Sequence, residues 1–145
     1  MKAISLAKEK LHLPVSCVIV CENGNELVMQ GRGIKPLLDI YNKKPEALKN
    51  AAVADKIIGK AAAAILILGG VSYIYADVMS KAAAEFLEQY GILAEHGALV
   101  SEIRNREDTD SCPMEKLAAQ HKTPAAIYNA LSAFFAQLQS ESRQD

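Results

Sequence analysis

From Ile57 to Leu68 the chain is almost wholly apolar, with four consecutive alanines at 61–64, and Gly69-Gly70 closes the run. A helix with so little polar surface must be buried nearly all round, and its small side chains let it lie close against a sheet. The longest uninterrupted apolar stretch, Ala61 to Val71, is far short of the ~20 residues that span a bilayer. One domain built around a buried helix is therefore the starting point, with no membrane partner.

The segments on either side alternate between strand and helix signals. Residues 1–12 read as a short helix with Ile4, Ala7 and Leu11 on one face, ended by Pro14. Val15 to Cys21 is a β-branched run, Glu22-Asn23-Gly24-Asn25 holds the Asn-Gly hairpin signal, and Glu26 to Gln30 is the return strand. Gly31 and Gly33 flank Arg32. Lys35 to Tyr41 reads as a helix with Pro36 in its first turn, and Asn42 to Asn50 as a polar loop. Ala51 to Ala54 is a short buried strand stopping at Asp55-Lys56, where the apolar helix follows. Ser72 to Ala76 is a strand, and Ser80 caps a helix that runs to Tyr90 with Gly91 behind it. Ile92 to Glu95 is a short strand, His96-Gly97 a surface turn, and Leu99 to Asn105 fits either class. Arg106 to Ser111 is a polar loop, Pro113 opens a helix to about Gln120, and Thr123-Pro124 starts the last helix.

This order predicts a three-layer α/β/α domain. Its mixed, mostly parallel sheet begins with an N-terminal β-hairpin, and helices close the chain. At 145 residues it makes one domain over 1–139, with a frayed tail at 140–145. A net charge of -1 and the lack of Trp give no reason to expect nucleic acid. Met1 to Leu13 is charged throughout, unlike a signal peptide. Three cysteines without a disulfide pattern suggest reduced thiols and a cytoplasmic protein.

Three stretches carry a resemblance: Val53-Ala54-Asp55-Lys56-Ile57-Ile58-Gly59-Lys60-Ala61-Ala62-Ala63; Arg104-Asn105-Arg106 followed by Asp110-Ser111-Cys112-Pro113-Met114-Glu115; and Arg32-Gly33-Ile34-Lys35-Pro36. The chain, over roughly Leu13 to Glu115, resembles a family of small bacterial proteins of unknown function placed with the cytidine-deaminase-like fold. The resemblance implies that fold and brings no established activity. A zinc nucleobase deaminase needs His-x-Glu at one helix start and Pro-Cys-x-x-Cys at another. His12, His96 and His121 are followed two residues later by Pro14, Ala98 and Thr123, so none fits. By element order the two motifs belong near Gly33-Ile34-Lys35 and Ala54-Asp55-Lys56-Ile57, where there is no His or Cys. No metal and no cofactor is expected. Cys17 and Cys21 share a strand face and read as small core residues.

Three places remain for chemistry. Asp55-Lys56 with Gly59-Lys60 sits where a strand runs into a helix, the usual ligand position in open α/β sheets. A helix start there offers free N–H groups to a phosphate or carboxylate, with Lys56 and Lys60 adding charge; the plain alternative is a capped helix with solvated lysines. Cys112, before Pro113, takes an N-cap position where a helix dipole favours thiolate, with Arg104 or Arg106 nearby. Glu115 could instead reach back to that cap as in a capping box. Arg32 and Lys35 lie beside two glycines. The expected function is a small-molecule site, anionic or nucleotide-like, at the strand C-terminal ends. Cys112 is its candidate nucleophile, Asp55 is a second catalytic candidate, and Lys56, Lys60, Arg32, Arg104, Arg106 and Glu115 bind. The alternatives are a non-catalytic binding or regulatory module, or a structural subunit. The Ile127, Leu131 and Phe134 stripe packs on the chain's own sheet or on a second copy in a homo-oligomer.

Overall fold

The computed structural model describes the backbone of residues 2–31, 33–104, 110 and 112–143, and the side chains of these residues except 2 and 141–143. Helix α1 spans Lys2–Lys10, strands β1 and β2 Val15–Val20 and Glu26–Gln30, and helix α2 Lys35–Lys43. Then come β3 (Ala52–Ile58), α3 (Lys60–Gly69), β4 (Tyr73–Ser80), α4 (Lys81–Gln89), β5 (Leu93–Val100), α5 (Pro113–Ala119) and α6 (Pro124–Arg143).

The sheet order is β2-β1-β3-β4-β5. β1 is antiparallel to both neighbours, and β3, β4 and β5 are parallel. The mixed α/β architecture is the expected one. Its hairpin closes through Asn23, whose Oδ1 accepts from the Asn25 N–H at 2.9 Å. Helix α1 covers one face, setting Ile4, Ala7 and Leu11 on Val18, Val20, Ala52 and Ala54. The other face carries the remaining helices around α3, in which Ala61, Ala63, Ala64, Ile65 and Leu66 are buried. Each fully buried Ile or Leu there contributes about 1.5–3 kcal/mol of transfer free energy. Ile127 and Leu131 are buried in this same core, so these two residues of the last helix's apolar stripe pack within their own chain.

Three boundaries differ from the sequence expectation. Strand β3 does not stop at Asp55-Lys56: it continues to Ile58, because Ile57 and Ile58 pair with Val78 and Met79 of the equally extended β4. The helix starts only after Gly59. His96-Gly97 is not a turn but the middle of β5. Gly97 lets β5 close on β4, since a Cβ there would stand 2.6 Å from the Asp77 carbonyl oxygen. The expected polar loop at 42–50 contains a 3₁₀ turn, Pro45–Ala47, that buries Ala47 and sets Leu48 into the core around α3.

The pleat also slips near the strand ends. Val53 and Ile74 face the helix-rich layer, yet Ile58 and Met79, an odd number of residues later, face it too. In a regular strand they would point to α1.

Candidate functional site

β1 runs opposite to β3, so the start of β1, the end of β2 and the C-terminal ends of β3, β4 and β5 share one end of the sheet. The helix-rich face there holds Asp55. It is half-buried and lies opposite Cys17 in the β1–β3 register. The Cys17 thiol donates to the Asp55 carboxylate, and the Ile57 N–H reaches Oδ1 at 3.3 Å. Burial pushes Asp55 up to about 7; hydrogen bonds from the Ile57 N–H, the Cys17 thiol and the Lys56 N–H oppose this, and the charge of Asp77 adds to it. Burial, then the charge of Asp55, raises the Cys17 thiol well above its usual range. Among the described residues no cation pairs with Asp55.

Lys56 is the next residue on an extended strand, so it points to the opposite, α1 face. Its ammonium pairs with Asp77 at 3.2 Å and donates to the Leu11 carbonyl at 3.4 Å. Asp77 also accepts from the Tyr75 hydroxyl at 2.8 Å, and Lys8 lies 4.5 Å over the Tyr75 ring while pairing with Glu95 at 2.9 Å. The seam ties α1 to the sheet. Asp55 and Lys56, expected in one site, are therefore on opposite faces.

The start of α3 was expected to be open to an anion. Glu115 fills it from α5: its Oε1 accepts the Lys60 N–H at 2.6 Å and its Oε2 the Ala61 N–H at 3.1 Å. Gly59 makes room, because a Cβ there would lie 2.2 Å from Oε1. Burial raises the Glu115 carboxyl, opposed by those two N–H bonds and by the Lys60 charge. The Lys60 ammonium turns away, donating to the His121 carbonyl at 2.8 Å and lying 5.3 Å over the Phe86 ring. Glu115 thus caps α3 and not its own helix, correcting the capping-box expectation; the Cys112 N–H goes instead to the Ile103 carbonyl at 2.8 Å.

Cys112 is the N-cap residue of α5 as expected, half-buried, and its thiol makes no cap hydrogen bond. Arg104 pairs with Glu102 at 2.6 Å, and Lys35 with Asp39 at 2.8 Å. Arg32 and Arg106 lie outside the described residues. The structure thus brings Asp55, Lys60, Glu115 and Cys112 toward one end of the sheet, while Lys56 serves the other face.

Sequence reasoning missed Cys17 as the partner of Asp55, visible only through the antiparallel register. It missed Gly59, whose neighbour is 56 residues away in sequence. It also missed a cavity of about 300 Å³ at the opposite end of the sheet, between the hairpin and the 3₁₀ turn, lined by Cys21, Glu22, Asn25, Leu27, Lys44 and Glu46. Among the described residues no group of three or more His, Cys, Asp or Glu side chains is placed to hold a metal ion. Nor is any helix among them long and apolar enough to cross a membrane.

Residues 6–135 match a family model, TM1506, described as a domain of unknown function (DUF1893). The chain belongs to this family. A crystal structure of a DUF1893 family protein (TM1506) from Thermotoga maritima is similar in fold, with a TM-score of 0.78 and 24% sequence identity over 91% of this chain and 86% of that one. Among curated proteins, none matches the sequence.

Proposed function

We propose that this DUF1893 domain binds a small molecule on the helix-rich face of the sheet, where β3 ends and α3 begins, with Asp55 as the group that meets it. The supporting observation is a half-buried carboxyl in the central strand with no cation beside it among the described residues. Perturbed, desolvated acids in such a position cluster at functional sites. The sequence alone points to an anionic ligand. The described cations argue for a different class: Lys56 is across the sheet, and Lys60 and Lys35 have partners of their own. Asp55 suits a ligand that offers N–H or O–H donors or carries a positive charge.

The layout supports a cytidine-deaminase-like domain without that fold's metal chemistry. In that layout the ligands belong at the starts of α2 and α3. Those places hold Ile34-Lys35 and Gly59-Lys60, and the α3 start is occupied by Glu115. This donor set does not fit zinc, and no step is routed through it. Three free thiols fit a reducing compartment such as the cytoplasm.

A thermal-shift screen of small molecules grouped by charge tests the site. At a hundred times Kd a ligand stabilises by about 2.7 kcal/mol. Stabilising compounds should be donors or cations and should lose their effect on Asp55→Asn. Compounds that stabilise the variant equally would refute the site. A second reading takes Cys112 as a nucleophile, because α5 carries its thiol to the same end of the sheet, one turn before Glu115. Mass spectrometry after incubation with thioesters and other electrophilic carbonyl compounds tests it; an adduct absent in Cys112→Ser supports it, and none refutes it.

A further inference from the structure

We propose that β5 is an assembly edge, pairing antiparallel with the β5 of a second copy to join two five-stranded sheets into one. The inference does not depend on the ligand site, which lies at the end of β3 and not along β5.

The two edges of the sheet are built differently. At the β2 edge the strand has only five residues, its pairing with β1 shifts register between Val15 and Cys17, and Glu26 is held in an ion pair by Lys10. Short length, irregular pairing and charge are the devices that keep an edge from recruiting another strand. β5 shares only the last of them, its Glu95 being paired with Lys8 of α1. It is eight residues long, Leu93-Ala94-Glu95-His96-Gly97-Ala98-Leu99-Val100, without Pro or Lys and in unbroken register with the end of β4. Strands of parallel sheets are normally covered on both sides. Here Leu93 is 67% exposed and Leu99 43%, and Tyr90 just before the strand is 41% exposed. Three of the seven large apolar side chains exposed among the described residues therefore gather at this one edge. Its outward backbone N–H and C=O groups are the template that strand addition uses.

A second copy fits because the strand complements itself. With a two-fold axis between His96 and Gly97, Leu93 faces the second copy's Val100, Ala94 its Leu99, Glu95 its Ala98 and His96 its Gly97. The pleat slip of β4 carries into β5 through the Ile74–Ala94 and Met79–Leu99 pairs, so Ala94 and the second copy's Leu99 lie on one face of the joined sheet. Neither Glu95 nor His96 meets its own charge, and like charges directly opposite are destabilising. The apolar residues at the two strand ends meet each other, giving the isologous contact of a closed dimer.

Sedimentation velocity and light scattering of the full chain at roughly 100 µM, well above a micromolar Kd, read the outcome. The expected mass is twice 15.7 kDa. Leu93→Lys with Leu99→Lys puts further guard charges on the edge and should weaken the dimer by about tenfold or more. Both side chains are exposed, so circular dichroism should show an unchanged fold. Leu13→Lys, at a still more exposed residue away from β5, should leave the dimer intact. Hydrogen exchange should protect the outward-facing β5 amides in the wild type and release these alone in the double variant, the amides bonded to β4 staying protected in both. A monomeric wild type overturns the proposal, and so does a dimer that survives the double variant.

Discussion

Replacing Asp55 with Asn should stabilise this protein above neutral pH and do little at acid pH. In the unfolded chain Asp55 loses its proton near 3.8; in the folded chain burial holds it until about 7. Between those values the folded state binds more protons than the unfolded one, so stability is fullest below about 4 and falls as pH rises toward 7. At about 1.36 kcal/mol per pH unit, that window gives a ceiling of about 4 kcal/mol. Residual water at a half-buried group reduces the effect to the order of 2–4 kcal/mol. Asn has no charge to desolvate, its Oδ1 can still accept the Ile57 N–H, and its amide can face the Cys17 sulfur. Urea unfolding of both proteins at pH 4.5 and pH 8 measures the difference, and comparing the two proteins cancels the titration of every shared group. The stability of the variant relative to wild type should rise by about 2 kcal/mol or more between the two pH values. An equal difference at both would show that Asp55 ionises as an ordinary surface acid, and the electrostatic support for the ligand site would be lost.

Removing the cap on α3 should be costly. Glu115→Ala leaves two backbone N–H groups without their acceptor, a loss of about 2 kcal/mol and a fall in Tm of about 6 °C in calorimetry. A loss of only a few tenths would mean that water replaces the carboxylate without penalty. Gly59→Ala should fall in the same range, because the added methyl displaces that carboxylate. Alkylation of the folded protein, read by peptide mass, should modify half-buried Cys21 and Cys112 and spare Cys17, which becomes reactive only on unfolding. Rapid labelling of Cys17 under native conditions would contradict its burial beside Asp55.

The elements with local signals were legible in the sequence. The β-branched run before Asn23-Gly24, the Ser80 cap and Thr123-Pro124 each produced the expected element. The Ser80 hydroxyl accepts the Ala83 N–H at 3.1 Å, and the Thr123 hydroxyl accepts that of Ala126 at 3.2 Å. Strand ends were not legible, because Asp55-Lys56 and His96-Gly97 look like breaks and are carried through by the ladder beside them. The error spread to the site. Once residues 55 and 56 are extended rather than helical, their side chains must separate to opposite faces. The Glu115 contact with α3 joins residues 55 apart in sequence and left no local mark.

That contact decides what the end of the sheet can bind. A helix start at the end of a parallel strand attracts an anion through its free N–H groups and dipole. This chain supplies the anion itself, and Gly59 is open so that it fits. An anionic ligand at the same N–H groups would have to expel Glu115 and forfeit the roughly 2 kcal/mol of that cap, about a thirtyfold loss of affinity. It would also bring negative charge toward a carboxylate left without its donors. A ligand offering hydrogen-bond donors to Asp55 meets no such competitor, and a positive charge on it would favour the ionised carboxylate that burial opposes. On these energetics the acid in β3, more than the lysines around it, sets the class of molecule this end of the domain accepts.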